Sequence, residues 1–129
     1  PLTWVLLGQT QQRAREFGAA VESLERAAVL DGGATPTLLW LGRALMAAER
    51  FDEAERVYLR VERADRTSYE ANLQLAEIYR RRRLRARGAV ESERFAARAR
   101  HYLDRARELN PNDTEIDRLV RELDREQNE

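Results

Sequence analysis

The pair Leu7-Gly8 recurs 34 residues on as Leu41-Gly42, and again as Leu75-Ala76. Other positions keep the same step. Phe17 becomes Phe51, Ala20 becomes Ala54, Leu24 becomes Tyr58 and Ala27 becomes Val61. A fixed period of this length restricts the chain to a repeat architecture, in which each copy is one supersecondary unit stacked on the next. Within the first copy the apolar residues follow steps of three and four. Trp4, Val5, Leu7 and Gly8 form one such segment, and Phe17, Ala20, Val21, Leu24, Ala27, Ala28 and Leu30 form a second. Each reads as one face of an α-helix, and Gly32-Gly33 breaks the pattern.

Three copies share one frame. The first carries Trp4-x2-Leu7-Gly8-x2-Gln11 and Ala20-x3-Leu24, with Gly32 after it. The second carries Leu38-x2-Leu41-Gly42-x2-Leu45 and Ala54-x3-Tyr58, and the third Asn72-x2-Leu75-Ala76-x2-Tyr79 and Ala99-x3-Leu103, with Pro111 in register. These residues resemble the tetratricopeptide repeat (TPR) family, whose pattern is W-x2-L-G-x2-Y, then A-x3-F, then P. The resemblance implies an all-α, right-handed superhelical stack of three helix-turn-helix repeats with a C-terminal capping helix.

The third copy departs in length. Tyr79 to Ala99 spans 20 residues, where Gln11 to Ala20 and Leu45 to Ala54 span 9, so 11 residues are inserted. The expected organisation is a single domain over 1–129: repeats at 1–34, 35–68 and 69–113, the last with a lengthened hairpin, and a capping helix over 114–126. Helices are expected over 2–14, 17–30, 35–48 and 52–64. Thr35, the pair Thr67 and Glu70, and Thr114 are the expected N-terminal caps. Gly88 is the expected break in the third hairpin, with Leu84, Ala86, Val90 and Phe95 packing its tip. Gly8, Ala20 and Ala27 let two helices approach, with Trp4, Leu7 and Leu24 filling the space around them. The tail from Glu126 to Glu129 is expected to fray.

Charged residues make up 36% of the chain, and 23 basic and 23 acidic residues give a net charge of zero. Cysteine is absent, which excludes disulfides and thiol chemistry. No leader or membrane-length apolar run is visible. A chain that opens on Pro1 without Met is expected to be a piece of a longer protein, and for this piece the cytoplasm is the expected compartment.

The resemblance implies where a partner would bind. Repeat positions 2, 5, 9, 12 and 13 line the concave face of a TPR array. The last four of these give Val5, Gln9, Gln12 and Arg13, then Leu39, Arg43, Met46 and Ala47, then Leu73, Glu77, Arg80 and Arg81. Val5, Leu39 and Leu73 make an apolar stripe, with Trp40 beside it. Trp, Met and Arg suit interface anchors, so the expected function is a non-catalytic scaffold or adaptor that holds a peptide or amphipathic helix. Self-association through end hairpins is a further form of the same role. TPR domains that grip acidic chaperone tails need Lys, Asn, Asn, Lys and Arg at five positions. Here these are Val5, Gln9, Trp40, Glu70 and Gln74, so the chaperone-tail class is not expected.

A second feature is a block of arginines. From Arg80 to Arg107 there are 11 Arg against Glu91, Glu93 and Asp104, a net of +8. Arg82, Arg83, Arg85 and Arg87 are the candidate anion contacts, which makes an electrostatic module for nucleic acid or an anionic surface the alternative reading. Aromatic residues do not interleave with the block before Phe95 and Tyr102, so base stacking has little support. The same arginines have other uses: meeting an acidic protein partner, pairing with the acidic last helix (Glu115, Asp117, Glu122, Asp124) or with a neighbouring repeat, or forming a solvated face. Catalytic, cofactor and metal residues are not found. His101 is the single histidine and has no cysteine or second imidazole to work with.

Overall fold

The computed structural model describes residues 2–127; Pro1 and the last two residues of the expected fraying tail lie outside them. Seven α-helices follow in order: α1 (Leu2–Arg13), α2 (Phe17–Leu30), α3 (Thr35–Ala47), α4 (Phe51–Ala64), α5 (Tyr69–Leu84), α6 (Ala89–Leu109) and α7 (Thr114–Gln127). They divide into two compact units, Pro1–Arg66 and Thr67–Glu129.

In the first unit α1 pairs with α2, α3 with α4, and α2 packs on α3. The two hairpins are built alike. Both turns reverse through a non-glycine residue in the left-handed region, Arg15 (φ 63°) and Glu49 (φ 59°), at the same place in each copy. Both pairs close on a glycine. A Cβ on Gly8 would lie 2.5 Å from Leu24 Cγ, and a Cβ on Gly42 would lie 2.5 Å from Tyr58 Cζ. With hydrogen in place of a methyl, the large residue of the second helix seats against the first helix. Leu24 and Tyr58 are fully buried, as are Ala20, Ala27, Ala54 and Val61.

Leu7 does not join this core; it is 41% exposed, whereas its counterpart Leu41 is 5% exposed. The reason is a missing neighbour. Leu41 lies on α3, against which α2 packs, while α1 has only α2 and α3 beside it. Trp4 is half-buried, with the Arg26 guanidinium 5.0 Å from its ring.

The turn between α2 and α3 is held by Asp31. Its Oδ1 accepts from the Gly33 and Ala34 N–H groups at 3.0 and 3.1 Å, and its Oδ2 accepts from Thr37 Oγ1 at 2.6 Å. Gly32 and Gly33 supply the left-handed conformations (φ 72° and 80°) that bring the backbone round. Thr35 is therefore not a cap; it is the first helical residue, Ala34 precedes it without a side-chain cap, and Asp31 holds the turn ahead of the helix.

In the second unit α5 and α6 are 16 and 21 residues long, against 12 to 14 for the helices of the first unit. Ala76 and Leu103, in register with Gly8 and Leu24, are both buried. Tyr79 stacks between Phe95 (6.3 Å) and Tyr102 (5.8 Å). Two expected caps shift by one residue. Ser68 Oγ, not Thr67, accepts from the Ala71 N–H. The Asp113 carboxylate, not Thr114, accepts from the Glu115 N–H at 2.9 Å. In each case the residue immediately before the first helical one holds the oxygen in reach of the open N–H groups. Gly88 does mark the break and precedes α6. The tip is not packed as expected, since Leu84 and Val90 are 58% and 76% exposed. They flank a turn too short for their side chains to meet a core.

α7 packs on α6 and α5 and buries Ile116, Leu119 and Leu123. A flank of the helix carries Glu115, Arg118 and Glu122, joined in an i, i+3, i+4 ion-pair ladder. Glu126 is part of the helix and is ion-paired.

Candidate functional site

In the first unit α1 and α3 lie side by side. The residues expected to line a binding face are distributed over these two helices and are neither core nor fully open. Val5, Gln9 and Gln12 on α1 are half-buried, as are Leu39, Trp40, Arg43 and Met46 on α3, and Arg13 is exposed. The Arg43 guanidinium lies 4.7 Å over the Trp40 ring, one helical turn away. This contact covers one face of the indole. Gln12 Oε1 is buried without a hydrogen-bond partner, although a buried acceptor left unpaired costs about 1–3 kcal/mol. The neighbouring Gln11 differs, because its Oε1 accepts from Ser23 Oγ at 2.6 Å.

In the second unit the corresponding α5 residues are already engaged. Glu77 accepts from Arg80 Nε and Nη2 (3.0 and 2.9 Å) and from Arg81 Nε (2.9 Å). Arg80 Nη1 donates onward to Glu126 Oε1 at 2.6 Å, and Glu122 lies 3.6 Å from its Nε. Burial by itself would raise the Glu77 carboxyl, but the hydrogen bonds and charge of Arg80 and Arg81 outweigh it and hold the group below its ordinary value. Glu77, with burial opposing it and Glu126 and Glu122 adding to it, raises Arg80 above the usual guanidinium range. Glu77 and Arg80 therefore fasten α5 to α7. Only Leu73, half-buried, keeps the open character seen on α1 and α3.

Part of the arginine block is likewise drawn inward. Arg83, a candidate anion contact, is 8% exposed, and its Nη1 donates to the Leu123 carbonyl at 2.9 Å. Its place in the frame is that of Arg15 and Glu49. There α1 and α3 have ended, but α5 continues and carries the side chain under α7. Arg82 lies over the Tyr79 ring at 5.7 Å and Arg98 at 5.5 Å. Arg100 pairs with Asp124 and Arg107 with Asp117. Arg85 and Arg87 are exposed at the hairpin tip. Four of the eleven arginines, Arg80, Arg83, Arg100 and Arg107, thus take the pairing with the acidic last helix that the sequence offered as another use. The partners Glu126 and the Leu123 carbonyl were not legible, because a carbonyl partner leaves no mark in sequence.

His101 is exposed, with its ring 5.2 Å from that of Tyr102. Among the described residues no group of His, Asp and Glu is placed to hold a metal ion, and no helix is long and apolar enough to cross a membrane.

Paired helices closing on a small residue, repeated at a step of 34, are accompanied by a sequence match. The family model for the tetratricopeptide repeat matches residues 12–78. The chain belongs to the TPR family. Members of that family are generally non-catalytic protein-interaction modules. Solved TPR structures share the fold. The first TPR of Spaghetti (RPAP3), bound to the HSP90 peptide SRMEEVD, superposes with a TM-score of 0.81 at 14% identity, over 99% of this chain and 93% of that one. TTC0263, a thermophilic TPR protein of Thermus thermophilus, gives 0.78 at 18% identity, over 89% of this chain and 59% of that one. Comparison with curated proteins by sequence gave no match.

Proposed function

We propose that this TPR chain is a non-catalytic adaptor, and that it holds a segment of a partner protein on the face formed by α1 and α3. The observation that carries the reading is the state of that face. Val5, Leu39, Trp40 and Met46 are left half open on adjacent helices, beside polar groups that include the unpartnered Gln12 Oε1. Apolar anchors with a few fixed polar groups are what a bound helix or extended peptide requires. Trp40, held by Arg43, is an anchor with little conformational freedom to lose on binding.

The first TPR of Spaghetti (RPAP3) is bound to the HSP90 peptide SRMEEVD, so the fold is compatible with that ligand. The exclusion made for this chain rests on its residues. In the first unit, Val5, Gln9 and Trp40 stand where that ligand class needs Lys and Asn. The favoured ligand therefore presents aliphatic or aromatic side chains rather than a terminal carboxylate.

The test is affinity capture from the native host with the wild type and with Leu39→Asp/Met46→Asp. Both positions are part-exposed, so the double variant should fold. Loss of the captured partners in the variant is expected, and an unchanged partner set refutes the reading.

A further inference from the structure

We propose that the groove over α3, between α2 and α4, is a second binding surface, and that it takes an acidic helical segment of a partner protein. This surface is separate from the α1–α3 face. α2 and α4 each pack on α3, and the three helices leave an open depression of about 410 Å³ within the first unit. Leu41 and Leu45 of α3 form its nearly closed floor, Glu25 of α2 stands on one side, and Arg56, Val57 and Arg60 of α4 stand on the other. A Cβ on Gly33 would lie 2.3 Å from Arg60 Nη2, so the Arg60 guanidinium reaches over the turn between α2 and α3 and closes one end. The Arg50–Glu53 pair, at 2.6 Å, stands at the other.

The charges on α4 do not balance. Its acids, Asp52, Glu53, Glu55 and Glu62, all have interaction partners. Its arginines, Arg56, Arg60 and Arg63, are exposed and have none among the described residues. They stand at i, i+4 and i+7, which places them on one face of the helix. Like charges at this spacing repel and cost helix stability. The fold supplies no anion to offset that cost, and a bound anion would.

The lining selects the occupant. Neighbouring side chains one helical turn apart are spaced by about 5–6 Å on any α-helix. Carboxylates one turn apart on a helix laid beside α4 therefore meet Arg56 and Arg60 in step, and each guanidinium can take a carboxylate in bidentate fashion. From Arg50 to Arg60 the groove runs about 15 Å along α4, room for about three turns of such a helix. Nucleic acid and anionic lipid fit less well. Glu25, exposed and without a partner among the described residues, and Glu53 would face their phosphates. No aromatic ring among the described residues lines the depression for base stacking. A protein helix, by contrast, can turn a basic side chain toward Glu25.

The experiment is fluorescence anisotropy of a labelled, alanine-based helical peptide carrying glutamates one turn apart, titrated with the chain at low and at high salt. The same peptide with Gln for Glu, a single-stranded oligonucleotide and phosphatidylserine vesicles are compared with it. The variants are Arg56→Gln/Arg60→Gln and, as a control that removes the same charge from another exposed place, Arg85→Gln/Arg87→Gln. Urea unfolding followed by circular dichroism checks their stability. The expected result is binding of the Glu peptide that weakens with salt, and that Arg56→Gln/Arg60→Gln weakens roughly tenfold without losing stability, while the control binds as the wild type does. Absence of binding to the Glu peptide at low salt overturns the proposal. So does an equal loss in the control, tighter binding to the oligonucleotide or the vesicles, or a less stable Arg56→Gln/Arg60→Gln variant, which would make these arginines part of the scaffold.

Discussion

Gly42 on α3 and Tyr58 on α4 share one space, and a Cβ at the glycine would come within 2.5 Å of the tyrosine ring. Tyr58 is fully buried, so its ring cannot swing aside. The contact fixes how closely the second hairpin closes, as Gly8 and Leu24 do for the first. Gly42→Ala gains helix propensity but overpacks this site, and the overpacking dominates. The expected net loss is about 1–2 kcal/mol in urea unfolding. Gly18, on α2, has nothing within 4 Å of the corresponding point. There the same exchange should stabilise by about 0.5–1 kcal/mol. Shifts of the same sign at both positions would contradict the account of the closure.

Arg80 bridges Glu77 on its own helix to Glu126 on α7, and its side chain is only 13% exposed. Its removal takes away the largely buried cation that joins Glu77 to Glu126, leaving Glu77 with Arg81, Glu122 with Arg118 and Glu126 with Arg83 at 3.9 Å. Arg80→Ala is expected to cost about 2–4 kcal/mol. Arg81→Ala touches the same Glu77 from a side chain that is 46% exposed, and should cost within about 1 kcal/mol. Equal costs for the two variants would show that α5 and α7 are not joined through Arg80.

The depressed Glu77 carboxyl makes stability depend on pH. The folded chain releases that proton more readily than the unfolded chain, so the contribution is complete above the ordinary value of 4.5 and is lost as pH falls through the lower folded value. Asp31, lowered chiefly by its hydrogen bond from Thr37, acts in the same direction about an ordinary value of 3.8. Acid titration followed by circular dichroism should show stability falling between about pH 5 and about pH 3. Glu77→Gln should flatten part of that fall, and an unaltered profile in this variant would argue against the assignment.

Much of the helical frame was legible because it depends on local periodicity. The starts of α2 at Phe17 and of α6 after Gly88 follow from the turn signals and the three-four spacing. What was not legible depends on neighbours. Leu7 and Leu41 are the same residue type in the same frame, and only the presence of α2 against α3 separates exposed from buried. Arg83 reads as part of a basic run, yet the continuation of α5 carries it under α7. The caps at Ser68 and Asp113 were missed by one residue, since adjacent Thr, Ser and Asp all satisfy the capping pattern until the first helical residue is known. On the proposed α1–α3 face, the resemblance singled out Trp40, and the geometry adds that the Arg43 guanidinium lies over its ring.

The central claim concerns the face of α1 and α3. It is tested most directly by an NMR titration of the chain's two tryptophan indole N–H signals, Trp4 and Trp40. The ligands are a peptide selected from a displayed library against this domain and, for comparison, SRMEEVD. The account predicts that the selected peptide shifts Trp40, with backbone changes at Gln12, Leu39 and Met46, while Trp4 stays in place and SRMEEVD leaves both signals unmoved. A shift confined to Trp4, or a response of Trp40 to SRMEEVD equal to its response to the selected peptide, would contradict it.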